Sequence, residues 1–311
     1  MYWFRRGAAC ALIGMGLVGC SGLTQVQDSI SRFDQGTHSA SVAETNFLRA
    51  VQTADCTSQF YANASDWAIG SLVNFDISGT CVPTILDDKQ VQTRQALMDA
   101  VTLYADKMVA LATGDDNTAL DANAQKLAGV LNSTAHQHGF QNLPVAADVE
   151  AGIIAISEMA LDQRRFSDVK TAAAKMDGSL GAVIGKLKAE NTNFAVGIAS
   201  KIDRLETNLR AVVAGTHQDR RRMSFFDVVE ARRIMRSANP FIPQTVIPSQ
   251  NAAAPQDNAQ SAALQLNAVL DTVLAANRAI AGAGTGGIVA AVNNLIVRAQ
   301  DAQSVQASLN K

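Results

Sequence analysis

Four thiols, four imidazoles, two pairs of adjacent carboxylates and one run of arginines are the groups in this 311-residue chain whose type and spacing invite a chemical reading. His136 and His138 stand two residues apart beside an expected helix end, where i and i+2 side chains do not share a face. They read as a solvated helix terminus favoured by the helix dipole, not as two ligands of one ion. His38 falls in a polar stretch near the N-terminus and His217 precedes a charge cluster, so no imidazole is placed as a base beside a nucleophile. Asp87-Asp88 and Asp115-Asp116 each stand just before a helical pattern, where a carboxylate caps exposed amides and suits the positive helix end. Gly178-Ser179-Leu180-Gly181 lacks the lysine of a phosphate loop and reads as a bend. No catalytic residue, metal or cofactor is expected from these patterns.

Arg220, Arg221, Arg222, Arg232, Arg233 and Arg236 form the main charge concentration, interrupted by Asp219, Asp227 and Glu230. In a chain of net charge -2 this local bias is either a solvated face with internal ion pairs or a contact for an acidic partner, anionic lipid or cell-wall polymer. Among the specific options a protein partner comes first.

The segment before Cys20 has a basic start at Arg5 and Arg6, followed by an apolar stretch from Gly7 to Gly19. That stretch is shorter than the roughly 20 residues a helix needs to cross a bilayer, so it reads as an export signal to be left out of the fold. Leu17-Val18-Gly19-Cys20 places a small residue before a thiol that can accept lipid. This tetrapeptide resembles the lipobox of bacterial lipoprotein precursors, a likeness confined to the first 20 residues or so. The resemblance implies that residues 1–19 are removed and that Cys20 becomes the acylated first residue. Ser21, standing where Asp would retain the protein in the inner membrane, implies sorting to the outer membrane, with the domain facing the periplasm. Several acyl chains, at about 0.8 kcal/mol per buried methylene, anchor firmly.

Export changes the reading of the remaining thiols. With Cys10 in the discarded segment and Cys20 lipidated, Cys56 and Cys81 are left, an even remainder outside the reducing cytoplasm. One disulfide is expected, with two free buried thiols as the alternative; the spacing is not that of a zinc ribbon. Closing a loop of about 25 residues is worth roughly 3 kcal/mol in the chain-entropy picture.

The elements that must hold these groups are helices. Leu97, Val101, Tyr104, Met108 and Leu111 recur at alternating spacings of four and three, which predicts a helix from near Asp87 to before Gly114. Leu120, Ala124, Leu127 and Leu131 predict another, and a further one runs from Ala146 to Met176. Phe194, Ile198, Ile202, Leu205, Leu209 and Val212 form the cleanest stripe, Val42 to about Ala62 an earlier helix, and Phe225 to Ser237 a short basic one. Ala262–Ile280 and Ile288–Leu309, separated by Gly282, Gly284, Gly286 and Gly287, predict a helical hairpin, expected to dock on the bundle. Residues 20–40, small and polar apart from Leu23, Val26, Ile30 and Phe33, are expected to be a lipidated tether; residues 41–239 the helical bundle; residues 240–260, with four prolines, a linker; and residues 261–311 the hairpin.

The expected fold is therefore all-α: an antiparallel bundle of long helices, a disulfide-clipped loop and a C-terminal helical hairpin. With 48% hydrophobic but only 5% aromatic residues, alanine must fill much of the interior, which favours close helices over a roomy ligand pocket. The functional expectation is a noncatalytic, lipid-anchored binding or scaffold protein for another envelope protein, with a cell-envelope hydrolase or a lipid- or peptidoglycan-binding module as alternatives. Export and weak aromatic interleaving disfavour nucleic acid.

Overall fold

A computed structural model of the chain describes residues 9–68, 81–114, 166–215, 233–234 and 256–307, and the side chains of most of these from Thr24 onward. Among the described residues five long helices dominate and no strand occurs: α1 (Ala9–Ala68), α2 (Asp88–Thr113), α3 (Phe166–Gly215), α4 (Gln256–Gly282) and α5 (Thr285–Ala307). The all-α class expected from periodicity is the class found. None of these helices is long and apolar enough to cross a membrane among the described residues.

The same spacing builds every helix. On α1 the buried positions include the series Val26, Ile30, Phe33, Thr37, Ala40, Glu44, Phe47, Val51, Ala54 and Ser58, which alternates in steps of four and three. On α3 Val169, Ala173, Met176, Leu180, Val183, Leu187, Glu190 and Phe194 do so, and on α4 Ala259, Ala263, Leu266, Leu270, Val273, Asn277 and Ile280. Ile288, Val292, Leu295, Ala299 and Ala302 complete the set on α5. A mean step of 3.5 against the 3.6 residues of a straight turn is the signature of left-handed, knobs-into-holes helix packing.

Two expectations give way here. Residues 24–40 are no tether: they are an uninterrupted part of α1, with Val26, Ile30, Phe33 and Thr37 all buried. Small and polar residues occupy core positions of the repeat there, so the stretch looks like a linker by composition while keeping a helix's period. Nor do Gly178 and Gly181 make a bend, because α3 is continuous through both and Leu180 between them is fully buried. The expected helix at 120–131, the part of the next one at 146–165, most of the basic helix at 225–237 and linker residues 240–255 lie outside the described residues; residues 256–260 of that linker are already helical.

Helix ends carry the expected chemistry. Asp87 Oδ1 accepts from the Gln90 amide at 2.7 Å while Gln90 Oε1 accepts from the Asp87 amide at 3.0 Å, a reciprocal capping box at the start of α2. Gly114, at φ 79°, ends the same helix, and its amide donates to Ala110 O at 2.7 Å. Between α4 and α5 only Ala283 and Gly284 intervene, so these helices form a tight hairpin. Lys170 Nζ donates to Ala283 O in that turn at 3.2 Å.

The helices pack as two compact units. The first takes α1 to Ser39, α2 from Ala96, α3 to Ile184, α4 from Val269 and α5 to Ala299. Its core sets Phe33 edge-on to Tyr104, with ring centroids 6.2 Å apart. The Tyr104 hydroxyl donates to Asn277 Oδ1, and Asn277 Nδ2 donates to Ala173 O at 3.1 Å, so α2, α4 and α3 are cross-linked through one buried amide. Gly36 lets α1 and α5 approach closely: a Cβ there would lie 2.6 Å from Leu295 Cγ.

The second unit takes α1 from Ala40, α2 to Gln95, α3 from Gly185, α4 to Ala268 and α5 from Gln300, together with the segment before α2. Phe47, Val51, Leu86, Leu187, Ile198, Ile202 and Leu266 are buried in it. Gly197 faces Ile85, whose Cδ1 would lie 3.3 Å from an added Cβ, so this glycine admits the segment before α2 against α3.

Candidate functional site

Among the described residues, three clusters of charged or thiol side chains bear on function, two in the second unit and one in the first. The Cys56–Cys81 disulfide joins α1 to the segment before α2, with Cα atoms 5.4 Å apart. One residue earlier, the fully buried Asp55 carboxylate accepts from the amides of Thr84 at 2.6 Å and Ile85 at 2.7 Å and pairs with Lys201 of α3. Lys201 also donates to the Thr84 hydroxyl. Adjacent residues of α1 thus hold this segment twice, once covalently and once through charge-assisted hydrogen bonds. The disulfide was expected from the cysteine count; Asp55 and Lys201 were not singled out, since one carboxylate among helical residues carries no local signature.

Glu44, Arg94, Glu190, Asn191 and Asn267 form a polar cluster in the interior of the second unit. Arg94 Nε and Glu190 Oε2 make an ion pair at 2.9 Å, Lys186 reaches Glu190 Oε1 at 3.0 Å, and the Arg94 guanidinium lies over the Phe194 ring at 4.8 Å. Asn191 Nδ2 donates to Glu44 Oε2 at 3.0 Å and to Asn267 Oδ1 at 3.4 Å. Glu44 Oε1 and Asn191 Oδ1 are buried without a hydrogen-bond donor. Burial above all pushes the Glu44 carboxyl up to about 7, with the Asn191 hydrogen bond and the Arg94 charge opposing.

The third constellation lies in the first unit. Asp34 and His38 stand one helical turn apart on α1, and Asp106 reaches them from α2. His38 Nε2 is 3.4 Å from Asp34 Oδ1 and 3.1 Å from Asp106 Oδ1. Asp34 Oδ1 is buried and accepts no hydrogen bond, whereas His38 and Asp106 are open to solvent. Burial, followed by the Asp106 carboxyl beside it, raises Asp34 to about 6, with the His38 charge opposing. Asp99, one heptad before Asp106, is also raised by burial and feels the His38 charge. Two carboxylates, Asp34 and Asp106, therefore flank one imidazole. His38 was placed in a tether and set aside; the i, i+4 spacing of Asp34 and His38 was the available signal, legible only once that stretch is known to be helical.

Of the residues singled out from sequence, Cys20 falls within the helical backbone of α1 but before the first described side chain. Arg233 is exposed and helical, while Arg220, Arg221, Arg222, Arg232 and Arg236 lie outside the described residues, as do His136, His138, Asp115, Asp116 and His217. Asp87 serves as a cap, and Asp88 Oδ1 accepts from Gln52 Nε2 at 2.9 Å, so this pair is structural.

No protein-family model, no curated protein and no solved structure matches this chain.

Proposed function

We propose that this protein is an exported lipoprotein, held in the outer membrane through an acylated Cys20, whose helical bundle acts as a noncatalytic scaffold for another envelope protein. The observation that carries the reading is the continuity of α1. The helical backbone passes from Cys20 to Val26, the first buried residue among the described side chains, without a break. At about 1.5 Å per residue the anchor lies on the order of 10 Å from the bundle's core, a mounting suited to a fixed scaffold rather than a tethered enzyme that must search for substrate. The Cys56–Cys81 bridge supports an oxidising compartment, where such bonds persist. The heptad spacing fills the described interior with side chains and leaves the outer helix faces for recognition.

The test combines metabolic palmitate labelling with crosslinking and affinity recovery from native envelopes, comparing the natural chain with Cys20→Ala. Label and a specific protein partner that both disappear in Cys20→Ala support the proposal. Equal labelling in the variant refutes the anchor. A labelled protein that repeatedly recovers no protein partner refutes the scaffold and moves the assignment to a lipid- or peptidoglycan-binding module.

A further inference from the structure

We propose that Asp34, His38 and Asp106 form a binding site for one first-row divalent cation of the zinc type, bridging α1 and α2 in the first unit. The inference does not depend on lipidation or on a protein partner. Its first support is geometry. Zinc bound at about 2.0–2.1 Å to nitrogen and oxygen donors at tetrahedral angles places those donors roughly 3.3 Å apart. The His38 Nε2 atom lies 3.4 Å from one carboxylate oxygen and 3.1 Å from the other, and the three donor atoms all fall within 4.8 Å of one another. The site therefore needs little movement to close around an ion.

The second support is the state of Asp34 Oδ1, which is buried and receives no hydrogen bond although it faces the imidazole edge. A buried carboxylate oxygen that lacks a well-directed hydrogen bond is costly, and a cation satisfies it directly. The third is local charge. Asp34 and Asp106 set two carboxylates against one imidazole, a balance that favours a cation. Donor chemistry selects the class: one imidazole with two carboxylates suits zinc and its first-row neighbours, whereas magnesium and calcium prefer oxygen-only shells with more ligands. The half-exposed His38 leaves a path from solvent and room for water as a fourth ligand. On this reading the site is a clip that joins two helices through side chains projecting from rigid turns.

Isothermal titration of the oxidised full-length protein in detergent micelles, metal-stripped beforehand, with ZnCl2 as the probe decides the matter. The expected result is one equivalent bound with Kd tighter than ~10 μM. Binding should weaken by roughly tenfold or more, about 1.4 kcal/mol, in both His38→Ala and Asp106→Asn. It should be unaltered in the double variant His136→Ala/His138→Ala. Asp34→Asn separates loss of a ligand from loss of the fold, because it also removes carboxylate repulsion: it should bind zinc more weakly while melting no lower than the natural protein without metal. Absence of binding at 100 μM zinc overturns the proposal, as does binding that survives His38→Ala or vanishes in the His136/His138 variant. Tighter uptake of calcium than of zinc overturns the assigned class.

Discussion

At the scale of single residues, the acidic side chain with most to reveal is Glu44. It occupies a core position of the α1 repeat, 1% exposed, and its carboxyl is pushed up to about 7. An unfolded glutamate titrates near 4.3, so between roughly pH 4.5 and 7 the folded state holds a proton that the unfolded state has released. Stability must therefore fall as pH rises through that window and level off above it, by on the order of 3 kcal/mol for this group. Glu44→Gln keeps an acceptor for Asn191 and removes the ionisable group. The variant should melt higher than the natural protein at pH 8, differ little at pH 4.5, and lose that part of the slope in denaturant titrations taken across the range. A buried polar residue at a core position lowers stability while restricting which helix registers are compatible, a role well attested for buried amides in coiled coils. Asn191, Asn267 and Asn277 stand at such positions here.

At the scale of elements, what was legible depended on which side chains filled the repeat. For α2 all five residues of the predicted stripe are buried, and the helix ends where Gly114 was expected to stop it. For α3 the first four residues of the later stripe are buried, but Gly178 and Gly181 were weighted as breakers, and packing on both sides of them overrides a propensity difference of about 1 kcal/mol each. The first half of α1 was misread because Thr37, Ala40 and Glu44 hold core positions that a count of large apolar residues skips. The site in the first unit was lost with it, since His38 acquires neighbours only when residues 34 and 38 are one turn apart.

Gly36 belongs to this scale too, as the point at which α1 meets Leu295 of α5. Gly36→Leu should lower stability by about 1–3 kcal/mol through overpacking, read as a reduced melting temperature and an earlier urea midpoint. Gly185 serves as the control: a Cβ there meets nothing within 4 Å, so Gly185→Ala should hold or raise the melting temperature through helix propensity.

At the scale of the whole molecule, an all-α chain rich in small residues relies on many close helix contacts and on a few cross-links to choose among similar packings. The Cys56–Cys81 bridge and the Asp55–Lys201 pair act on the same segment, so their contributions should not be independent. Reduction should destabilise the protein by roughly 3 kcal/mol. Asp55→Ala, which strands Lys201 and two amides, should cost a comparable amount, on the order of 3 kcal/mol. In a double-mutant cycle with Cys56→Ser/Cys81→Ser the combined loss should depart from the sum by more than about 0.5 kcal/mol, measured by equilibrium denaturation. The cysteines left once Cys10 and Cys20 are assigned to the export signal and the lipid site pointed to the covalent half of this arrangement. Its electrostatic half was invisible, because Asp55 and Lys201 are far apart in the chain and meet only after α3 has packed.

The unbroken run of α1 into the bundle also has a rotational consequence. Each residue of an α-helix turns the chain by about 100°, so the residue count between Cys20 and Val26 sets a compass bearing. Adding two residues there would swing Cys20 by roughly 200°, to nearly the opposite side of the helix, whereas adding seven would bring it back to within about 20° of its original heading. A flexible spacer would forget such a change; a continuous helix transmits it, so under the proposed anchoring the flank of the bundle turned toward the lipid would be written in the phase of the repeat.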